Sequence, residues 1–229
     1  MTLNTPSELS FLTQWDTPTI CNALELIVPG RRGYGFTVEQ AVCLNPGLKP
    51  IVGYARTARC ATRKPPEDNA QELADRRLAY YKYVAEAPHP TIAVVQDFET
   101  DPGAGAFWGE VQTNIHKRLG CVGTVTDGGI RDLDEMKEGG FNAFASDVLV
   151  SHGYIHIVDV NVPITVGGLT VNPGDLIVGD QHGVLEVPKE IAADLPEAVR
   201  KVEERERNII DHCNSEDFDL ETLKKLVSK

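Results

Sequence analysis

Thr124-Val125-Thr126-Asp127-Gly128-Gly129-Ile130-Arg131-Asp132-Leu133-Asp134-Glu135 runs from an apolar approach into two adjacent glycines and then a cation beside an anion. Val122 to Thr126 is short, apolar and β-branched, the pattern of a strand buried on both faces. Gly128 and Gly129 permit a tight turn. Asp134 to Gly139 reads as a short helix closed by the Gly139-Gly140 pair. Arg131 and Asp132 thus arrive together just past a strand end, a layout suited to a small anionic ligand and a divalent metal.

The same rhythm extends upstream. Thr91 to Asp97 is a second buried strand, followed by the small-residue loop from Asp101 to Ala106, then Phe107-Trp108-Gly109-Glu110 and a helix to about Leu119. Ile51 to Thr62 reads as a strand. Asn69 to Ala87 reads as a helix with Ala70, Leu73, Ala74, Leu78, Tyr81, Val84 and Ala85 on its core side, ended by Pro88 and Pro90. Repeated strand–helix–strand units imply a parallel layer with right-handed crossovers. Nearer the N-terminus, Asp16 or Thr17 caps a helix that accepts Pro18 and turns Ile20, Ala23, Leu24 and Ile27 inward. Residues 31 to 50 read as loop.

From Asp147 the pattern changes to short strands at Tyr154–Val160, Pro163–Val166, Leu169–Val171, Leu176–Val178 and Val184–Val187, separated by turn signals. This β-rich segment suits a barrel or sandwich better than a Rossmann sheet. Glu190 to Cys213 reads as a long helix, and Leu220 to Val227, capped by Asp219, as a second. The expected organisation is one α/β domain over residues 1–189 and a helical extension over 190–229, packed on that domain or on a neighbouring subunit.

The 229 residues allow one large domain or two small ones, and the net charge is −12. That balance argues against a nucleic-acid partner, which needs Lys and Arg massed on one face, and leaves room for a locally basic pocket. No run is long and apolar enough to cross a bilayer, and the N-terminus lacks a signal peptide's basic-then-apolar order, so the expectation is a cytoplasmic protein with no membrane partner. Cys21, Cys43, Cys60, Cys121 and Cys213 are scattered and odd in number, which favours reduced buried thiols over a zinc site or a catalytic thiol. His152 and His156 flank a strand over which four residues reach too far for one ion. His116, on the helix behind Gly109, is the histidine to test.

Ligands in parallel α/β layers gather at the carboxyl ends of the strands, so the two loops are expected to open onto one crevice. Gly109 would let an anion approach the free amides of Glu110, Val111 and Gln112 at a helix start, or would simply be that helix's N-cap. Arg131 offers a planar fork for a carboxylate, and Asp132 a hard oxygen for Mg²⁺ or Mn²⁺. The alternative is that Asp132 caps the helix after it, with Arg131 in a surface ion pair. Glu135, three residues on and so on the same helical face, would hold a metal-bound water or act as a capping-box partner. Neither loop carries a lysine near its tip, which argues against Schiff-base chemistry.

Phe107-Trp108-Gly109-Glu110, followed about twenty residues later by Thr126-Asp127-Gly128-Gly129-Ile130-Arg131-Asp132, resembles the RraA-like family. So do Val162-Pro163-Ile164-Thr165-Val166-Gly167-Gly168 and Val171-Asn172-Pro173-Gly174-Asp175, and the likeness spans roughly Thr17 to Pro188. The resemblance implies an α/β/β/α sandwich of the swivelling β/β/α kind, homotrimers or hexamers, and active sites at subunit interfaces. It is closest in type to the 4-hydroxy-4-methyl-2-oxoglutarate/4-carboxy-4-hydroxy-2-oxoadipate aldolases, which use Mg²⁺ or Mn²⁺ to cleave a small 2-oxo acid through a pyruvate enolate. Carried over by position, Asp132 would be the direct metal ligand, Arg131 a catalytic and substrate-binding residue, and Gly109, Glu110, Val111 and Gln112 the substrate loop. Oxaloacetate decarboxylation would follow through the same enolate. The RraA regulators of ribonuclease E share the fold and lack the complete Arg-Asp pair, so the intact pair favours an enzyme over a regulatory binding module. Val111-Gln112 stands where the family usually has two aliphatic residues, and the extension from Glu190 is longer than the aldolases require. Both departures bear on which substrate is taken, with a decarboxylase or hydratase of another 2-oxo or sugar-derived acid as the alternative.

Overall fold

The computed structural model describes residues 9–39, 41–99 and 103–228; Asp101 and Pro102 of the small-residue loop lie outside them. The chain runs through helix α1 (Thr17–Ile27), strands β1 (Val42–Cys43) and β2 (Ile51–Ala61), and helix α2 (Ala70–Val84). Strands β3 (Thr91–Asp97) and β4 (Ala106–Trp108) precede helix α3 (Glu110–Arg118). Strands β5 (Cys121–Thr126) and β6 (Gly129–Ile130) precede helix α4 (Leu133–Glu138). Strands β7 (Asn142–Ala145), β8 (Asp147–Val148), β9 (His156–Val160), β10 (Ile164–Val166), β11 (Leu169–Val171), β12 (Leu176–Asp180) and β13 (Gly183–Val187) follow, then helices α5 (Leu195–Cys213) and α6 (Leu220–Val227).

The main sheet has eight strands in the order β1-β7-β5-β3-β2-β12-β13, with β9 also on β2. β2, β3, β5 and β7 are mutually parallel, as the strand–helix rhythm implies. The far edge of β2 pairs antiparallel with β12 near its start and with β9 near its end. Alternation sorts the core. Ile92 and Val94 of β3 face the β10–β11 hairpin together with Ile51, Ala55 and Phe144, while Ala93 and Val95 face α2 and Trp108. On the β12–β13 wing, Ile20 and Leu24 of α1 pack with Leu195 and Val199 of α5 against Val178 and Leu185. The β10–β11 hairpin packs on one face of this near-barrel sheet, and α2 with Trp108 covers the other face of β3. The expected α/β fold with C-terminal helices is present.

Several details differ from the sequence reading. The core side of α2 is Tyr80 and Val84, whereas Leu78 is exposed, because the Tyr80 ring fills the space beneath the helix and finds a buried partner for its hydroxyl. α5 begins at Leu195 rather than Glu190, after a 3₁₀ turn at Ala192–Asp194, with Pro196 in its first turn where a missing N–H costs nothing. Residues 31 to 50 contain the short strand β1 and part of a 3₁₀ turn. Asp16 caps α1 by accepting from the Thr19 amide. Cys43, Cys60 and Cys121 are buried and all five cysteines are free; burial pushes the Cys60 and Cys121 thiols up, against thiolate chemistry. No helix among the described residues is long and apolar enough to cross a membrane.

Candidate active site

Both crossover loops leave the main sheet at strand ends and are then drawn together by a second, three-stranded parallel sheet, β4-β6-β8. Ala106 pairs with Gly129 and Trp108 with Ile130, and these in turn pair with Asp147 and Val148. The Arg131 amide donates to the Trp108 carbonyl at 3.0 Å, which fixes the Arg131-Asp132 turn beside the residue that starts α3. Strands of two or three residues carry no periodic signal, so this sheet was invisible in the sequence.

Asp132 occupies the left-handed region, at φ 56° and ψ 48°, a conformation that Asp tolerates better than most residues. Its carbonyl accepts from the Met136 amide, but its carboxylate makes no capping bond to its own helix. Instead Oδ2 accepts from the Glu110 amide of α3 at 2.9 Å. Asp132 is therefore a long-range tie between the two loops rather than a local cap. Gly109 is required for space and not for its dihedrals, which are extended: a Cβ there would lie 2.5 Å from Asp132 Oδ2 and 3.2 Å from Arg131 Cγ. Arg131 Nε is 3.7 Å from Asp132 Oδ2, and both side chains are about one-third exposed. So loose a pair contributes little to stability and leaves the guanidinium fork open.

Two expectations change at this point. Of the three amides at the start of α3, that of Glu110 is taken by Asp132, which leaves those of Val111 and Gln112 for a ligand. Glu135 is exposed on α4 and does not line the cavity. Asp132 is left-handed rather than helical, so the i, i+3 spacing does not by itself set Asp132 and Glu135 on one helical face.

A cavity of about 270 Å³ opens here, lined by Gly109, Val111, Gln112, Arg131 and Asp132, with Arg77 and Tyr81 of α2 and His152 and His156 completing the wall. In an acidic chain this pocket gathers two arginines and one carboxylate, a local reversal of charge. Tyr81 donates to Gln112 Oε1 at 3.1 Å, which orients the amide and leaves its NH₂ group to face a ligand. Arg77 makes no ion pair or hydrogen bond among the described residues. Arg77, Tyr81, His152 and His156 had not been singled out as site residues. The chain brings β9 back along β2, so two histidines that flank a strand start reach one cavity.

His116 is not in the cavity. It is wholly buried, with Nδ1 at 2.7 Å from the Gln112 carbonyl and Nε2 at 2.8 Å from the Tyr80 hydroxyl, and it packs on the Trp108 ring. A carbonyl only accepts, so Nδ1 carries the proton and Tyr80 donates to Nε2. Burial holds its pKa down at about 4, a neutral imidazole bracing α3 from behind. Asp127, at the end of β5, accepts from the Asp97 amide at 2.7 Å, and burial pushes its carboxyl up to about 6.

This fold and this pair of converging loops define an α/β protein whose two crossover loops meet at one polar cavity. The model of the RraA-like family, described as Aldolase/RraA, matches residues 17–185. The chain belongs to the RraA-like family. It is 33% identical over 212 residues to a Halalkalibacterium halodurans protein named "Putative 4-hydroxy-4-methyl-2-oxoglutarate aldolase", an alignment covering 90% of this chain and 91% of that one. A crystal structure of a Pseudomonas syringae pv. tomato str. DC3000 protein superposes with a TM-score of 0.70 at 26% identity, covering 95% of this chain and 92% of that one. Streptomyces coelicolor RraAS2, described as an unusual member of the RNase ES inhibitor RraA family, has a TM-score of 0.67 at 24% identity, over 87% of this chain and 94% of its own. At that identity the likeness speaks to the fold alone.

Proposed function

We propose that the chain is a divalent-metal-dependent carbon–carbon lyase that cleaves a 4-hydroxy-2-oxo acid of the 4-hydroxy-4-methyl-2-oxoglutarate type through a pyruvate enolate. The convergence of the Asp132 carboxylate, the Arg131 guanidinium and the free α3 amides on one cavity carries this assignment. The donor chemistry suits Mg²⁺ or Mn²⁺: Asp132 Oδ1 has no protein partner among the described residues, and these hard ions keep most of their waters. No group of three or more His, Cys, Asp or Glu that could hold an ion occurs among the described residues, so the site offers one carboxylate and not a cage. When bound, the ion supplies a Lewis acid for charge on the substrate's carbonyl oxygen.

Arg131 binds the substrate carboxylate with its open fork and faces the carbonyl oxygen on which charge grows as the C–C bond breaks. The Val111 and Gln112 amides add the positive end of the α3 dipole. The Gln112 side chain, held by Tyr81, supplies a further donor and makes this wall more polar than an aliphatic pair would. Oxaloacetate loses CO₂ to give the same enolate and should be a second substrate. We place residues 1–189 as the catalytic unit and 190–229 as an extension seated on it through α5. Val111, Val148, Val150 and Tyr154, on the segments that carry the cavity, are all more than half exposed. That apolar rim supports a homotrimer or hexamer in which a neighbouring subunit completes the pocket, acting on a small 2-oxo acid in the cytoplasm.

Pyruvate release from a panel of 4-hydroxy-2-oxo acids and oxaloacetate, with and without Mg²⁺ or Mn²⁺, tests this. Asp132→Ala and Arg131→Ala should each lose ~100- to 1000-fold in kcat. Full activity of Asp132→Ala after metal chelation would refute the site. Silence of the native protein across the panel, with tight binding to a protein partner, would favour a regulatory module on the same fold.

A further inference from the structure

Two imidazoles line the same cavity as Arg131 and Asp132. His156 Nδ1 lies 2.8 Å from the Tyr154 carbonyl, and His152 Nδ1 lies 2.7 Å from the Gly153 carbonyl. A carbonyl oxygen only accepts, so in the neutral form of each ring Nδ1 carries the hydrogen and the lone pair falls on Nε2. Neither Nε2 has a hydrogen-bond partner among the described residues. The two rings differ in how firmly they are held. His152 is exposed on the loop between β8 and β9, whereas His156 is half-buried in β9, in register with Ala61 of β2. Arg76 of α2 donates to the neighbouring Ile157 carbonyl at 3.2 Å, which ties this end of β9 to the helix that also carries Arg77 and Tyr81.

The rest of the lining offers no comparable proton acceptor. Tyr81 donates to Gln112, Asp132 Oδ2 accepts from the Glu110 amide, no lysine lines the cavity, and Glu135 lies outside it.

We propose that His156 is the proton-transfer residue of the lyase reaction, a role that rests on the lyase reading above. Its Nε2 takes the proton of the substrate's 4-hydroxyl as the C3–C4 bond breaks. C4 becomes a carbonyl, and the bonding pair passes into the C2–C3 double bond of pyruvate enolate. The imidazolium then returns that proton to C3, giving pyruvate and restoring the neutral ring, with no net change in the protein. Rings held on strands keep their aim better than rings on loops, which selects His156 over His152.

The test uses the full-length protein with Mn²⁺ and three readouts: pyruvate from 4-hydroxy-4-methyl-2-oxoglutarate, CO₂ from oxaloacetate, and deuterium entering the pyruvate methyl group in D₂O. Positioned acid–base groups contribute ~100- to 10,000-fold, so His156→Gln should lose at least ~100-fold in aldol cleavage and in methyl exchange. Decarboxylation should be far less affected, because no hydroxyl proton leaves and solvent can protonate the enolate. Full cleavage by His156→Gln, an equal loss of all three activities, or the cleavage defect appearing in His152→Gln instead would each overturn the assignment. Absence of all three activities in the native protein would remove the lyase reading and this role with it.

Discussion

Gly109→Ala isolates the geometry of the site from the stability of the fold. The backbone at 109 is extended, at φ −174° and ψ −171°, so alanine can adopt it without strain. Its Cβ would lie 2.5 Å from Asp132 Oδ2 and 3.3 Å from Asp132 Cγ. Unstrained heavy-atom contacts settle near ~3.5 Å, so the carboxylate must withdraw by roughly 1 Å. That stretches or breaks its 2.9 Å bond from the Glu110 amide and shifts the oxygens assigned to the metal. A displacement of ~1 Å at a reacting centre costs ~100-fold, or about 2.7 kcal/mol of barrier. Stability should change little, since one lost hydrogen bond, about 1 kcal/mol, is offset by the ~0.4–1 kcal/mol that glycine replacement saves in the unfolded chain. The assay pairs kcat/KM for metal-dependent pyruvate release with Tm by circular dichroism. A Tm within a few degrees of native and a ~100-fold fall in kcat/KM are expected. In an Asp132→Ala background the same substitution should add little further loss, because the closest contact is gone and only the milder one to Arg131 Cγ at 3.2 Å remains. Native kcat/KM in the single variant would refute the close-approach reasoning.

Two further predictions concern titratable groups, one half-buried and one wholly buried, whose effects have opposite signs. Asp127 has its folded pKa raised to about 6 above an ordinary 3.8, so its contribution is fully present below pH ~4 and is lost as pH rises through 6. Asp127→Asn keeps an oxygen for the Asp97 amide and should gain stability at pH 8 by up to roughly 2–3 kcal/mol, a gain that vanishes near pH 4 in urea unfolding. A gain independent of pH would show that burial is not the cause. His116 has its folded pKa lowered from 6.5 to about 4, so its contribution is present above pH 6.5 and lost as pH falls towards 4. His116→Phe should cost about 1–3 kcal/mol at pH 8 by orphaning the Tyr80 hydroxyl, and should flatten the decline in stability between pH 6.5 and 4. An unchanged acid limb would mean that this imidazole is not the group responsible.

The parallel layer was legible because β3 and β5 are apolar, β-branched and bounded by glycine and proline; of Asp16 and Thr17 it is Asp16 that caps α1, and Asp219 caps α6. The site was half legible. The sequence placed Gly109 and Arg131-Asp132 at strand ends, but it could not decide between a cap and a functional carboxylate. That depends on a left-handed residue and on a bond spanning 22 positions. Glu135 stands exposed and off the cavity lining, which i, i+3 spacing could not foresee because Asp132 is left-handed rather than helical. The face of α2 was misjudged because a buried tyrosine with a satisfied hydroxyl displaced leucine from the core. The α2 and β9 wall of the cavity, with Arg77, Tyr81 and His156, depends on long-range pairing for which no local pattern exists.

The β4-β6-β8 sheet has a consequence for how the protein opens. Its bonds are almost entirely main chain, and each strand belongs to a different crossover, so neither loop can fray without breaking the ladder of the other. The amides of Ala106, Arg131 and Leu149, which donate across or beside this sheet, should therefore exchange with solvent as one cooperative unit. The cavity-lining positions on α2 and β9 lie outside that unit. The chain can thus vary what it recognises while the Arg131-Asp132 turn forms, or is lost, as a single event.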